Sequence, residues 1–402
     1  MKRKGLVISV FLMCTVCIAA QDWTQFRGQY RNGKVSGFKA PSAWPKEPVM
    51  VWRATTGPCD ASPVLSGGKI YLNTRQGKDE VVLCLDASTG RELWKYSYDS
   101  PAVTGPATSH PGPRSTPVLA EGKIVTMGVA GTLSCLDVAT GKLLWQKEES
   151  LFPDPQFWVG MSPIVADGLC IVQQGNKDNG FVLAYNLKTG EEKWRYTGDG
   201  PAYGSPSVLT AGKTKQLVLV TEKSMIGLNS TDGKLLWKTD AVCQQRFYNS
   251  VSPVIDGTRI YITGSGTGTR AVEIVPEGGQ FTVRELWKNP DVGAKWNTAV
   301  LKDGFLYGFS DQRRIYCLDA SNGKTAWIDE AVNSDFATIV DCGSVLIGLP
   351  STGNLIVIKP EPKAYNEVVR YKVAETPVYA FPVIAGNLIY IKDADSLIMY
   401  KF

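Results

Sequence analysis

CLDASTGRELW, Cys84–Trp94, and CLDVATGKLLW, Cys135–Trp145, are one phrase written twice. It returns as AYNLKTGEEKW ending at Trp194, GLNSTDGKLLW ending at Trp237 and CLDASNGKTAW ending at Trp327. A longer form with extra turn residues runs from Glu273 to Trp287, and a degenerate form ends at Tyr371. Counted from Trp52, the aromatic ends fall 40 to 51 residues apart, the period of a four-stranded propeller blade.

The phrase has a physical reading. The apolar alternation before Asp86 is the end of one strand. Asp or Asn followed by Thr-Gly or Asp-Gly makes the hairpin turn: the side-chain oxygen accepts from backbone N–H groups, and glycine takes the positive φ. The next strand delivers Trp four residues after the glycine. On a blade's outer strand that indole can pack on the neighbouring blade and donate its N–H to a carbonyl there. Burying it contributes roughly 2–3 kcal/mol per blade. The docking set is therefore Trp52, Trp94, Trp145, Trp194, Trp237, Trp287, Trp327 and Tyr371.

A second unit lies between the phrases: Ser/Thr-Pro-Val, a glycine turn, then a β-branched run, as in SPVLSGGKIYL from Ser62 and SPVIDGTRIYI from Ser252. It reads as two antiparallel strands, with proline opening an innermost strand whose free edge needs no donor. Seven such units end at Tyr371, and FPVIAGNLIYIKDADSLIMYKF, Phe381–Phe402, supplies three strands of an eighth. The missing strand is PVMVWRAT, Pro48–Thr55, which carries Trp52 in the outer position. The expectation is an all-β, eight-bladed β-propeller over residues 21–402, its last blade closed by an N-terminal strand. Closure removes free sheet edges.

Composition agrees. Forty Gly and 23 Pro suit a chain of many turns. Lys2, Arg3 and Lys4, the apolar run Leu6–Ile18 and the small pair Ala19-Ala20 read as a signal peptide over residues 1–20. This implies a periplasmic or secreted protein. A lipoprotein reading would use Cys14 or Cys17, but Met13 and Val16 stand where a small residue is needed. Loss of the leader removes three cationic side chains from a formal charge of +5, leaving no footprint for nucleic acid. No second apolar span follows, and a monomer is expected. Seven cysteines remain, with no CxxC, so zinc and redox motifs are excluded and disulfide pairing stays open. Cys84, Cys135 and Cys317 share one repeat position, that of a small buried filler.

The repeated LDASTGRELW resembles the tryptophan-docking motif of the quinoprotein (PQQ-like) eight-bladed propellers, over nearly the whole mature chain. That superfamily holds pyrroloquinoline-quinone-dependent dehydrogenases and non-enzymatic scaffolds, including BamB-like proteins of outer-membrane β-barrel assembly. The opening DWTQFRGQYRNG, Asp22–Gly33, also resembles the N-terminus of secreted PQQ-like repeat proteins. The dehydrogenases imply an adjacent-cysteine disulfide and a Glu-Asn-Asp calcium set, and neither is recognisable here.

Loops entering the inner strands converge on one channel mouth, the expected ligand site. Three positions before the Ser/Thr-Pro-Val proline stand Asp60, Arg114, Gly160, Tyr203, Ser250, Trp296, Asp335 and Tyr379. One position before it stand Ser62, Thr116, Ser162, Ser205, Ser252, Thr298, Ala337 and Phe381. With loop neighbours, the candidate ligand-binding residues are Asp60, Arg114, Trp158, Tyr203, Arg246, Asn249, Lys295, Trp296, Asn297, Asp335 and Tyr379. No catalytic or metal-ligating residue is assigned. His110, the one histidine, reads as a solvated loop residue, and GSGTGT, Gly264–Thr269, as a hairpin rather than a phosphate loop. The expected function is a binding or assembly scaffold for an envelope protein or a small glycan-like ligand, with no cofactor. The alternative is a quinone-dependent alcohol or sugar dehydrogenase holding PQQ and Ca²⁺, in which Arg114, Arg246 and Lys295 meet the quinone carboxylates.

Overall fold

Alternating apolar runs and glycine turns produce eight antiparallel sheets of four strands each among the described residues. The computed structural model describes residues 22–148, 158–241, 243, 249–334 and 336–402. The signal-peptide reading lies outside these. In blade 1 the strands run Val64–Ser66, Lys69–Gln76, Asp79–Asp86 and Glu92–Asp99, ordered from channel to rim. Blades 2 to 7 repeat this order. Blade 8 takes three strands from residues 383–401 and its outer strand from Val49–Thr55, as the sequence predicts. That last pairing is fastened by an ion pair of 2.6 Å between Arg53 and the buried carboxylate of Asp393.

The indoles bridge neighbouring sheets. Those of Trp52, Trp145, Trp287 and Trp327 donate to carbonyls of the next blade, at Ala87, Leu187, Ala320 and Glu361, over 2.8–3.1 Å. Each of Trp52, Trp94, Trp145, Trp194 and Trp287 also lies on the turn glycine of the following blade, where a Cβ would strike the ring. The glycine therefore answers two demands, a positive φ and a flat seat. Across the strand pair the indole needs a small neighbour, and Cys84, Cys135 and Cys317 stand opposite Trp94, Trp145 and Trp327. All seven described cysteines are free.

Four positions depart from the repeat, two of them for a local reason. Trp237 turns its N–H to Gln216 Oε1 of its own blade, at 2.6 Å. The next blade extends its hairpin there, and Ile274 is paired mid-strand with Val283. Tyr371 faces blade 8, whose outer strand arrives from elsewhere in the chain, so no turn awaits it. Its hydroxyl donates to the Pro45 carbonyl at 2.6 Å, and its ring meets Phe402. The indole N–H groups of Trp94 and Trp194 are buried and make no hydrogen bond among the described residues.

The turn aspartates titrate in a defined direction. Asp86 accepts from the hydroxyls and backbone N–H groups of Ser88 and Thr89, which holds its carboxyl below the ordinary 3.8. Asp137 is lowered chiefly by Thr140, and Asp319 chiefly by Ser321. A depressed carboxylate stabilises the folded chain above its unfolded value and loses that contribution as pH falls through its folded value. Thermal melts from pH 5 down to pH 2 should show a steeper loss of Tm for wild type than for a triple Asp86→Ala, Asp137→Ala, Asp319→Ala variant. Parallel curves would contradict the assignment.

Candidate functional site

The buried hydroxyls one position before each inner-strand proline form a belt around the channel. Phe381 N donates to Ser62 Oγ, and Ser62 N to Thr116 Oγ1. The relay passes through Ser162, Ser205 and Ser252 to Thr298, each link 2.7–3.2 Å long. Phe381 has no hydroxyl to accept from Ala337, whose N–H goes instead to Asn297 Oδ1 at 2.7 Å. These groups tie blade to blade and are spent on structure rather than offered to a ligand.

Above this belt the mouth opens into a cavity of about 320 Å³. Of the sequence candidates, Asp60, Arg114, Tyr203, Trp296 and Tyr379 line it together, joined by His110, Phe336 and Ser250. Its aromatic wall is continuous. Trp296 stacks on Phe336 with centroids 5.0 Å apart, Phe336 meets Tyr379 edge-on at 5.3 Å, and Tyr379 meets His110 at 4.9 Å. Lys295 places its ammonium 5.1 Å from the Trp296 ring centroid.

The polar part is built on the loop between blades 1 and 2. Arg75, buried, donates to the carbonyls of Lys78, Ser100, Pro101 and Pro111, which pins the ends of that loop. The loop carries His110 inward, so the expectation of a solvated histidine is corrected: its Nδ1 lies 2.6 Å from Asp60 Oδ2 and its side chain is only 25% exposed. Arg114 donates from Nη2 to the His110 carbonyl at 2.9 Å. Its Nη1 is buried and makes no hydrogen bond among the described residues. Burial lowers the Arg114 pKa against the opposing pull of Asp60, yet a guanidinium stays charged at any working pH. The mouth thus presents a fixed cation, an acid already tied to an imidazole, and a wide aromatic face.

Other candidates are placed elsewhere. Asn249 is buried and bridges Cys243 N to the carbonyls of Thr221 and Glu222. Asn297 holds Ala337 N and the Phe309 carbonyl. Trp158 donates to the Thr104 carbonyl at 3.3 Å and packs beside Val103, Ala107 and Val129, next to the cavity. Arg246 and Asp335 lie outside the described residues. Sequence reasoning missed His110 and Phe336. Four prolines around His110, at positions 101, 106, 111 and 113, were the available signal that this loop is stiff rather than solvated.

A family model described as outer membrane protein assembly factor BamB matches residues 49–151 and 78–329. Outer membrane protein assembly factor BamB of Burkholderia pseudomallei is 24% identical over 361 residues, 86% of each chain. Quinohemoprotein alcohol dehydrogenase ADH IIB of Pseudomonas putida is 30% identical over 164 residues, 39% of this chain and 23% of that enzyme. Among solved structures, BamB from Moraxella catarrhalis superposes with a TM-score of 0.64 at 14% identity, covering 88% of this chain and 100% of the other. The quinohemoprotein alcohol dehydrogenase of Comamonas testosteroni gives 0.67 at 15% identity, covering 94% and 80%. With most of its length matched by that model and its eight blades ordered as described, the chain belongs to the BamB-like family of PQQ-repeat β-propellers, related to the quinoprotein alcohol dehydrogenases.

Proposed function

We propose that this protein is an exported, monomeric assembly scaffold of the cell envelope that holds a segment of a partner protein, or a glycan-like ligand, in the channel mouth. The observation that carries the reading is the shape of the sequence match. A BamB relative corresponds over 86% of both chains, whereas the dehydrogenase relative corresponds over 23% of its own length. The mouth supports it too: a broad aromatic wall beside one arginine is the composition of an interface anchor.

The donor chemistry favours binding over quinone-dependent oxidation. Calcium beneath a quinone needs several hard oxygen ligands. Here Asp60 is bonded to His110, and Asn249 and Asn297 are committed to backbone groups. The described residues do not fit that metal.

The test is crosslinking in envelope preparations, with a photoreactive residue at Tyr203 or, as control, at the exposed rim residue Leu144. The expected result is a discrete adduct with a component of outer-membrane assembly from position 203 and none from position 144. Trp296→Ala and Arg114→Ala should each lower its yield about tenfold or more, the effect of losing an interface hot spot. Absence of a mouth-specific adduct, together with saturable binding of PQQ and Ca²⁺ and dye-linked alcohol oxidation, would replace this reading with the enzymatic one.

A further inference from the structure

The segment before the first blade strand crosses the channel and closes it beneath the mouth. Trp23 pairs with Leu65 of blade 1, the Thr24 carbonyl accepts from Leu119 N of blade 2, and the Gly33 carbonyl accepts from Asp341 N of blade 7. Between these, Arg31 donates to the carbonyls of Pro163 and Pro206, at the entries of blades 3 and 4, and Arg27 to those of Thr298 and Ala299, entering blade 6. Thr298 belongs to the hydroxyl belt, and Pro163 and Pro206 directly follow its members Ser162 and Ser205. The Phe26 ring meets Phe381 at the same level. The cavity above the belt is therefore a pocket with a floor, which a ligand enters by one end rather than threading through.

The polar groups of the pocket are organised on one residue. His110 meets the Asp60 carboxylate through Nδ1, at 2.6 Å, and its carbonyl accepts from Arg114, at 2.9 Å. An acceptor and a donor are thus held together, and both line the cavity. Their opposite charges offset each other, so the pocket asks for neither a cation nor an anion. Around them Trp296, Phe336, Tyr379 and Tyr203 are half-buried, which leaves ring surface open to the cavity they line. A purely apolar group would cover the rings but strip water from Asp60 and Arg114 without replacing its hydrogen bonds. A peptide strand would need free backbone partners, and the N–H groups of the belt are already bonded to hydroxyls. A pyranose meets both demands, with a face of C–H groups and a rim of hydroxyls that each donate and accept.

We propose, building on the mouth's role as the binding site, that its pocket holds one pyranose unit at the end of a neutral glycan. The C–H face lies on the aromatic wall, and adjacent hydroxyls are shared between Asp60 and Arg114. A cavity of about 320 Å³ has room for one such ring. Bonds from a hydroxyl to a carboxylate and from a guanidinium to a hydroxyl are charge-assisted, and partial burial strengthens them. Two fixed partners read the orientation of neighbouring hydroxyls, so the site tells epimers apart.

The test is saturation-transfer NMR on the mature protein with the methyl glycosides of glucose, mannose and galactose and with N-acetylglucosamine, each at about 10 mM, which populates a millimolar complex. The expected result is transfer to the ring C–H protons of at least one sugar, with an epimer bound about tenfold more weakly. Trp296→Ala and the nearly isosteric Asp60→Asn should each weaken that binding about tenfold or more. Lengthening the bound sugar to a trisaccharide should change its affinity by less than about threefold, because one unit fills the pocket. No transfer to any of the four sugars would overturn the proposal, and so would binding unchanged by Trp296→Ala. If the variants do not fold, a sugar-soaked crystal decides, by whether the ring lies against Trp296 or elsewhere. An envelope-protein adduct from position 203 with no sugar bound would keep the scaffold reading and remove the sugar; sugar binding without any adduct would do the reverse.

Discussion

Removal of residues 48–55 is expected to abolish the cooperative melt of the whole protein. The strand Val49–Thr55 is the outer strand of blade 8, and its hydrogen-bonded pairing with Ser396–Lys401 closes the ring. Its loss strips the backbone partner from Leu397–Lys401, frees the buried Asp393 carboxylate from Arg53, and takes Trp52 off Gly90 of blade 1. Because Arg53 is half-exposed, losing its pair with Asp393 costs about 1 kcal/mol, and losing a docked indole costs about 3 kcal/mol. Added to the backbone hydrogen bonds of a whole strand, this is comparable to the stability of an ordinary domain. Calorimetry should therefore show a broad or absent transition. A truncated protein that melts at the wild-type temperature would mean that blade 8 does not depend on this strand.

The second large effect is expected at a residue with no side chain. Gly190→Ala should destabilise the fold by about 3 kcal/mol, read from urea midpoints at unchanged slope. Gly190 has a φ of +70°, so alanine there is strained by about 1 kcal/mol on backbone grounds alone. The larger part comes from the neighbour: a Cβ at this position would sit 2.8 Å from Cγ and Cδ2 of Trp145. The indole would have to lift, losing its contact and its 3.0 Å bond to the Leu187 carbonyl.

How much of this was legible follows from how local each signal is. Strand order, blade number and the closing strand rest on periods within one blade, and these are written repeatedly in the chain. The turn glycines were readable as positive-φ positions because that demand is local. Their second duty, as seats for the preceding blade's indole, joins residues 36 to 47 apart, and no single phrase contains both partners.

The mouth shows the same limit. Alignment on the inner-strand proline brought Asp60, Arg114, Tyr203, Trp296 and Tyr379 to one cavity, because their offset from a regular strand is fixed. Asn249 and Asn297 share the neighbourhood but turn to backbone atoms, a choice of rotamer that spacing does not encode. His110 belongs to a loop whose path is set by Arg75, far from it in sequence. The crossing segment with Arg27 and Arg31 carries no repeat at all, so its place across the channel emerged only from its contacts.

The measurement that bears most directly on the account is a double-mutant cycle between Trp145 and Gly190. If the glycine exists to seat the indole, Gly190→Ala should cost about 3 kcal/mol in wild type but only about 1 kcal/mol, the backbone strain, once Trp145 is alanine. Equal costs in both backgrounds would show that ring and turn are energetically independent, and would contradict the docking of each blade on the next.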